Sequence, residues 1–177
     1  MKWLCCFLCF LWTAALSQNS SVIISTAGIG EIKIGMKKAE LEKLIGQKLT
    51  LKHLAAKKDN AYQDTFRVQY KGIEIEVMLQ NNYIENDKYE ITVGQLRSNN
   101  PSLKTRSGIA IGDDKLKVVS TYENYLLHLS PDYENDYKTK SKTKSSIWLF
   151  SDDSNVIIFY LENNKVTAFS VMMYEGC

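Results

Sequence analysis

Apolar and polar residues alternate with a period of two along much of the chain. From Thr65 to Leu79 the sequence reads TFRVQYKGIEIEVML. Phe66, Val68 and Tyr70 alternate with Arg67 and Gln69; Ile73, Ile75, Val77 and Leu79 alternate with Glu74, Glu76 and Met78. This period predicts two half-buried strands. The Lys71-Gly72 pair between them predicts a two-residue turn, which sets Tyr70 opposite Ile73 and puts both apolar sets on one face. A third strand is predicted over about 89–96. SIWLF (146–150), NVIIFYL (155–161) and KVTAFSVMM (165–173) predict three more, with Asn163-Asn164 as the turn between the last two.

A second period precedes each group of strands. Leu41, Leu44 and Ile45 are spaced for one face of a helix, as are Leu116, Val119 and Tyr122 with Val118. The two stretches belong to one pattern. GEIKIGMKKAELEKLIG (30–46) and SGIAIGDDKLKVVSTYE (107–123) align at an offset of 77, matching Ile32 with Ile109, Ile34 with Ile111 and Gly35 with Gly112. Each reads as a short strand, a glycine that turns the chain, and a helix of about ten residues. Asp113-Asp114 stands where a helix N-cap belongs. Met36-Lys37 holds that place in the first copy, whose helix is expected to start less firmly, by about 1 kcal/mol; Gly46 supplies its stop.

The predicted fold is therefore α+β: a tandem duplication, at about 18–103 and 104–177. Each unit carries a short strand, a helix and an antiparallel sheet, with the helix packed on one sheet face. Each unit is small for independent stability, so the two are expected to pack together. Aligning Val156, Ile158 and Tyr160 with Ile73, Ile75 and Val77 turns them toward the helix and leaves Ile157, Phe159 and Leu161 on the other face. On the last strand, Phe169, Val171 and Met173 oppose Val166, Ala168 and Met172. An apolar second face either packs against the first unit or meets a partner; three such large side chains represent roughly 5–9 kcal/mol of transfer free energy as an upper bound. Trp148 and Phe150 join one face or the other. The partner-binding candidates are thus Trp148, Phe150, Ile157, Phe159, Leu161, Phe169, Val171 and Met173.

The first residues, MKWLCCFLCFLWTAALS, place Lys2 before an apolar run and end in Ala15-Leu16-Ser17. This is the pattern of a secretory signal peptide, residues 1–17, cleaved after Ser17. The expected location is secreted or periplasmic, with no membrane span after cleavage. The alternatives are an uncleaved anchor and lipidation; Cys6 follows Cys5 and Cys9 follows Leu8, neither a good lipidation context. Beyond residue 17 the formal charge is +1, which gives no reason to expect nucleic acid. Cys177 is then the single remaining cysteine, so no internal disulfide is expected.

Candidate chemistry is sparse. The two histidines, His53 and His128, follow the two predicted helices, but no cysteine or further histidine supplies metal-ligand spacing. No serine or cysteine sits in a nucleophile elbow, and no glycine loop resembles a phosphate cradle. Glu74 and Glu76 read as a solvated strand face rather than an acid–base pair. SPDYENDYKTKSKTKSS (130–146) reads as a surface loop or poorly ordered edge. Extended, it would place Lys138, Lys140, Lys142 and Lys144 on one side, either to keep the chain soluble or to touch an anionic surface. No catalytic residue, cofactor or metal is assigned.

The GIxIG-helix opening, the hairpins after it and the NKVTAFSV strand resemble the β-lactamase-inhibitor-protein-like superfamily and the small envelope lipoproteins of the SmpA/OmlA type. The resemblance covers both units and is better over 107–173. It implies tandem helix-plus-sheet units, a location outside the cytoplasm and a protein-binding role. Two departures stand out: those inhibitors carry disulfides within their domains, and no lipobox is present here. Inhibition of a β-lactamase is therefore not implied, and no partner-contacting residue carries over. The resulting expectation is an exported non-catalytic module that binds another protein or an envelope component through a sheet surface. The alternatives are a dimeric structural protein of envelope assembly and, less favoured, an enzyme with an unfamiliar site.

Overall fold

The structure, a computed structural model, describes residues 22–54, 63–84, 89–134, 137–151 and 154–174. The signal-peptide and cleavage expectations and Cys177 lie outside the described residues. Two sheets and two short helices make an α+β fold. In chain order these are β1 (Ile23–Ser25), β2 (Gly28–Ile29), β3 (Ile32–Lys33), α1 (Lys38–Ile45), β4 (Gln63–Tyr70), β5 (Ile73–Tyr83), β6 (Tyr89–Ser98), β7 (Lys104–Thr105), α2 (Lys115–Thr121), β8 (Leu127–Tyr133), β9 (Lys140–Phe150), β10 (Asn155–Glu162) and β11 (Lys165–Met173). The large antiparallel sheet has seven strands in the order β4-β5-β6-β11-β10-β9-β8, and a small mixed sheet has the order β3-β2-β1-β7.

The hairpin turns fall where the sequence puts them. Tyr70 pairs with Ile73 across Lys71-Gly72. Asn163 and Asn164 have φ of 51° and 63°, a left-handed pair that asparagine tolerates and that matches the strand twist. The helices are shorter than predicted, eight and seven residues. Asp114 caps α2 by accepting from the Leu116 N–H at 3.0 Å. At α1, where Lys37 cannot accept, the Glu40 carboxylate instead reaches back to the Lys37 N–H at 3.3 Å.

The two glycine–helix junctions are tied to the large sheet by the same bonds, although the short strand expected before Gly112 is reduced to a single bridge between Ala110 and Lys104. The Gly35 N–H donates to the Val93 carbonyl at 2.8 Å, and the Val93 N–H donates to Met36 at 2.9 Å. The Gly112 N–H donates to Val166 at 2.8 Å, and the Val166 N–H donates to Asp113 at 2.9 Å. Gly35 and Gly112 have φ of 78° and 88°, the left-handed region where a side chain is strained. A register shift occurs at Met78/Leu79 on β5 and at Tyr160/Leu161 on β10, leaving Gly94 and Thr167 as the extra residues on β6 and β11.

These bulges settle the parity of the second half. Leu79 lies opposite Val93 and Leu161 opposite Val166, so β10 matches β5 at an offset of 82, one residue from the alignment predicted above. A one-residue slip exchanges the faces of a strand. Ile157, Phe159 and Leu161 therefore face the helices, and Val156, Ile158 and Tyr160 face away, the reverse of the sequence expectation. The ladder confirms it row by row: Phe66, Val77, Leu96, Val171, Ile157, Leu149 and Leu127 are successive cross-strand neighbours from β4 to β8. All seven belong to, or pack against, one apolar cluster that also takes in Leu41, Val118, Ile24, Ile29 and Ile32 from the helices and small sheet. Tyr122, at the end of α2, lies 5.8 Å from Phe159, which lies 5.6 Å from Phe169.

Candidate functional site

The face of the large sheet away from the helices has no described element over it, although Val156, Ile158, Ala168 and Ser170 at its centre are buried. One row crosses all seven strands: Arg67, Glu76, Arg97, Ser170, Ile158, Trp148 and His128. The row begins charged and ends aromatic, because β4, β5 and β6 alternate apolar with polar or charged residues while β10 and the Ile147–Phe150 end of β9 are apolar on both sides. At the charged end Arg67, Glu74, Glu76, Arg97 and Asn99 line a groove of about 530 Å³ that Thr167 and Ala168 close on the β11 side. Among the described residues no ion pair joins Arg67, Glu74, Glu76 or Arg97. Their hydrogen-bonding capacity faces solvent.

Arg97 links the two ends. Its guanidinium carbon sits 4.5 Å from the centroid of the Tyr160 ring, a cation–π distance. Beneath it, the Gln95 amide donates to the Ser170 hydroxyl at 2.8 Å, and that hydroxyl donates to the Leu96 carbonyl at 3.0 Å. These bonds pin the β6–β11 seam at the centre of the face. At the aromatic end Phe150 is 5.0 Å from Tyr174 and 6.4 Å from Trp148. With Leu126, Leu127 and His128 these rings line a second, mostly apolar groove of about 430 Å³. The Trp148 indole N–H donates to Ser146 Oγ at 2.9 Å, which holds the ring in place.

The eight sequence candidates divide between two environments. Trp148 and Phe150 are half-buried on the open face. Ile157, Phe159, Leu161, Phe169 and Val171 are buried in the core beneath the helices and small sheet, where no partner reaches them. Met173 is half-buried at the end of β11, opposite Asn155. The open face instead owes its chemistry to Arg67, Arg97, Tyr160 and Tyr174. Arg67 was visible as the polar side of an alternating strand. Arg97 was not, because its neighbours on β11 follow from a pairing 73 residues apart that no local pattern encodes.

The stretch expected as a surface loop or poorly ordered edge, 130–146, is mostly strand, and part of it is the edge strand β8. β8 and β9 enter it from both ends, with Tyr133 opposite Lys140. Lys140, Lys142 and Lys144 are exposed on β9. Lysine, serine and threonine at every position from 140 to 146 give no apolar alternation to read.

His53 does lie beside a carboxylate. Its Nδ1 is 3.0 Å from Asp64 Oδ1, at the rim of a groove of about 460 Å³ that also takes in Lys52, Gln63, Thr65 and Phe66. Asp64 is buried and accepts the backbone N–H groups of Lys52, His53 and Leu54 at 3.0–3.1 Å. Burial pushes this carboxyl up, but the N–H groups of Leu54, His53 and Lys52 outweigh it and hold the group below its ordinary range. The arrangement anchors the segment after α1, whose Leu49 and Leu54 cap the core. His53 is exposed, and among the described residues Thr65 is the one hydroxyl-bearing residue lining the groove. Among the described residues no group of His, Cys, Asp and Glu is placed to hold a metal ion, and no helix is long and apolar enough to cross a membrane.

Comparison with models of known protein families, with curated proteins and with solved structures found no match to this chain.

Proposed function

We propose that this chain is an exported, non-catalytic binding module that engages another protein or an envelope component through the open face of its seven-stranded sheet. The observation that carries this reading is the transverse row from Arg67 to His128. It offers unpaired charge at one end and clustered aromatic rings at the other, and no described element lies over it. Aromatic and arginine side chains together are the composition of protein-recognition surfaces. Export rests on the N-terminal sequence pattern.

Within this reading the chain is two sister units, 18–103 and 104–177, meeting at the β6–β11 seam. Support comes from the matched glycine–helix junctions, the matched bulges and the strand order, in which the last strand of each unit is innermost. The resemblance to the β-lactamase-inhibitor-protein-like superfamily points the same way. A partner straddling the seam would contact both units at once.

The test is capture from an envelope extract by the immobilised full chain. Arg97→Glu and Trp148→Ser alter the face; Lys43→Glu, on the exposed side of α1, is the control. We expect a partner retained by wild type and control and lost by both face variants, with unchanged circular dichroism. Equal capture by all four proteins would reject the open face.

A further inference from the structure

The two edges of the large sheet are unlike. β4, at one end, carries exposed Gln63, Thr65, Arg67 and Gln69, the polar and charged residues that discourage edge-to-edge pairing. β8, at the other, is flanked by exposed apolar side chains: Leu126 is 71% exposed, Tyr125 61% and Leu129 47%. The backbone of β8 is also open. The Phe150 N–H donates to the Leu126 carbonyl at 3.1 Å, which makes Leu126 and Phe150 a hydrogen-bonded pair. Such pairs alternate along an antiparallel ladder. His128 and Ser130 therefore also turn their backbone groups to β9, and Leu127, Leu129 and Pro131 turn theirs outward. Among the described residues no other element bonds the outward groups of Leu127 or Leu129. Pro131 has no N–H, so the usable edge ends at Leu129.

We propose that β8 pairs antiparallel with β8 of a second copy, joining two large sheets edge to edge. The edge is self-complementary in one register. With the two-fold axis beside His128, Leu127 of each copy lies opposite Leu129 of the other. Each N–H then meets a carbonyl, and neither copy needs a donor from Pro131. The leucines meet on the face that already carries Leu149 and Ile147, so the two cores run together. A foreign strand would gain only these two rungs, whereas a second copy brings its own apolar surround. Tyr125, Leu126, Leu129, Tyr133 and Tyr174 leave roughly 500 Å² per copy in solvent. Two copies together reach about 1,000 Å², the lower limit for a specific interface and the range of a weak, reversible dimer. Edge pairing extends the open face sideways without covering its charged end, so it can hold whether or not that face binds a partner.

The experiment is sedimentation equilibrium of the full chain over a wide concentration range, with Leu129→Pro and His128→Cys. Among the described residues the Leu129 N–H bonds no partner, so Leu129→Pro is aimed at the intermolecular rungs. We expect a reversible dimer for wild type and a dissociation constant raised roughly tenfold to a hundredfold in Leu129→Pro, at unchanged circular dichroism. His128 faces its own copy in a non-hydrogen-bonded pair, where the Cα atoms lie about 4.5 Å apart and a disulfide fits. Oxidised His128→Cys should give a Cys–Cys cross-link at position 128 by peptide mapping, which decides the matter if Leu129→Pro fails to fold. A wild type that stays monomeric at all concentrations, an unaffected Leu129→Pro dimer, or the absence of that cross-link would overturn the proposal.

Discussion

Removing the Asp64 carboxylate tests whether it anchors the segment after α1. In Asp64→Ala the N–H groups of Lys52, His53 and Leu54 lose their acceptor together. A hydrogen bond to a charged acceptor is worth about 1.5–3 kcal/mol net. The three do not add, because Lys52 and His53 are exposed and water can replace the carboxylate there, while Leu54 is buried and its N–H has no such recourse. The expected cost is about 3 kcal/mol, a fall in urea midpoint of about 1.5 M at a typical slope of about 2 kcal/mol/M. Asp64→Asn keeps one acceptor oxygen and should cost about half as much. His53→Ala, at an exposed ring, should cost less than about 1 kcal/mol. The folded-state pKa of Asp64 lies below its ordinary value of 3.8. Its contribution is therefore complete above pH 3.8 and declines as the pH falls through the lower folded value. A midpoint unchanged in Asp64→Ala, or a cost for His53→Ala equal to it, would refute the anchor and make the His–Asp pair a functional dyad to be explained.

Glu42 accepts from the Leu49 N–H at 2.7 Å and from Lys38 Nζ at 2.6 Å, and these partners, the Leu49 amide foremost, hold its pKa at about 2. Wild type and Glu42→Gln should therefore differ in urea midpoint at pH 5, and the difference should shrink as the pH falls toward 2. Phe159→Ala should lose about 3–5 kcal/mol by urea titration, because the ring is fully buried between Tyr122 and Phe169; Trp148→Ser, on the open face, should lose much less. Gly35→Ala and Gly112→Ala should each cost about 1–2 kcal/mol, since nothing crowds either site and the left-handed backbone is the whole penalty. Unequal costs would argue against sister junctions.

Much of the fold could be read from the sequence because its local signals agree with its global structure. The Lys71-Gly72 and Asn163-Asn164 turns each fix a register, and Gly35 and Gly112 announce the two junctions. The faces of β10 could not be read. Val156 to Leu161 is one unbroken apolar run, so its parity depends on where the bulge falls, and Thr167 carries no mark of being the extra residue. The small sheet was only partly visible, because strands of two or three residues are too short to establish a period. The same one-residue parity decides the candidate site, because it places Ile157, Phe159 and Leu161 in the interior rather than on the open face.

Hydroxyl-radical footprinting of the native chain tests the face assignment on which the functional reading depends. Rapid labelling of Arg97, Trp148, Phe150 and Tyr174 is expected, with Phe159, Phe169 and Leu161 protected until the chain unfolds. Labelling of Phe159 and Phe169 at the rate of Trp148 and Phe150 would contradict it.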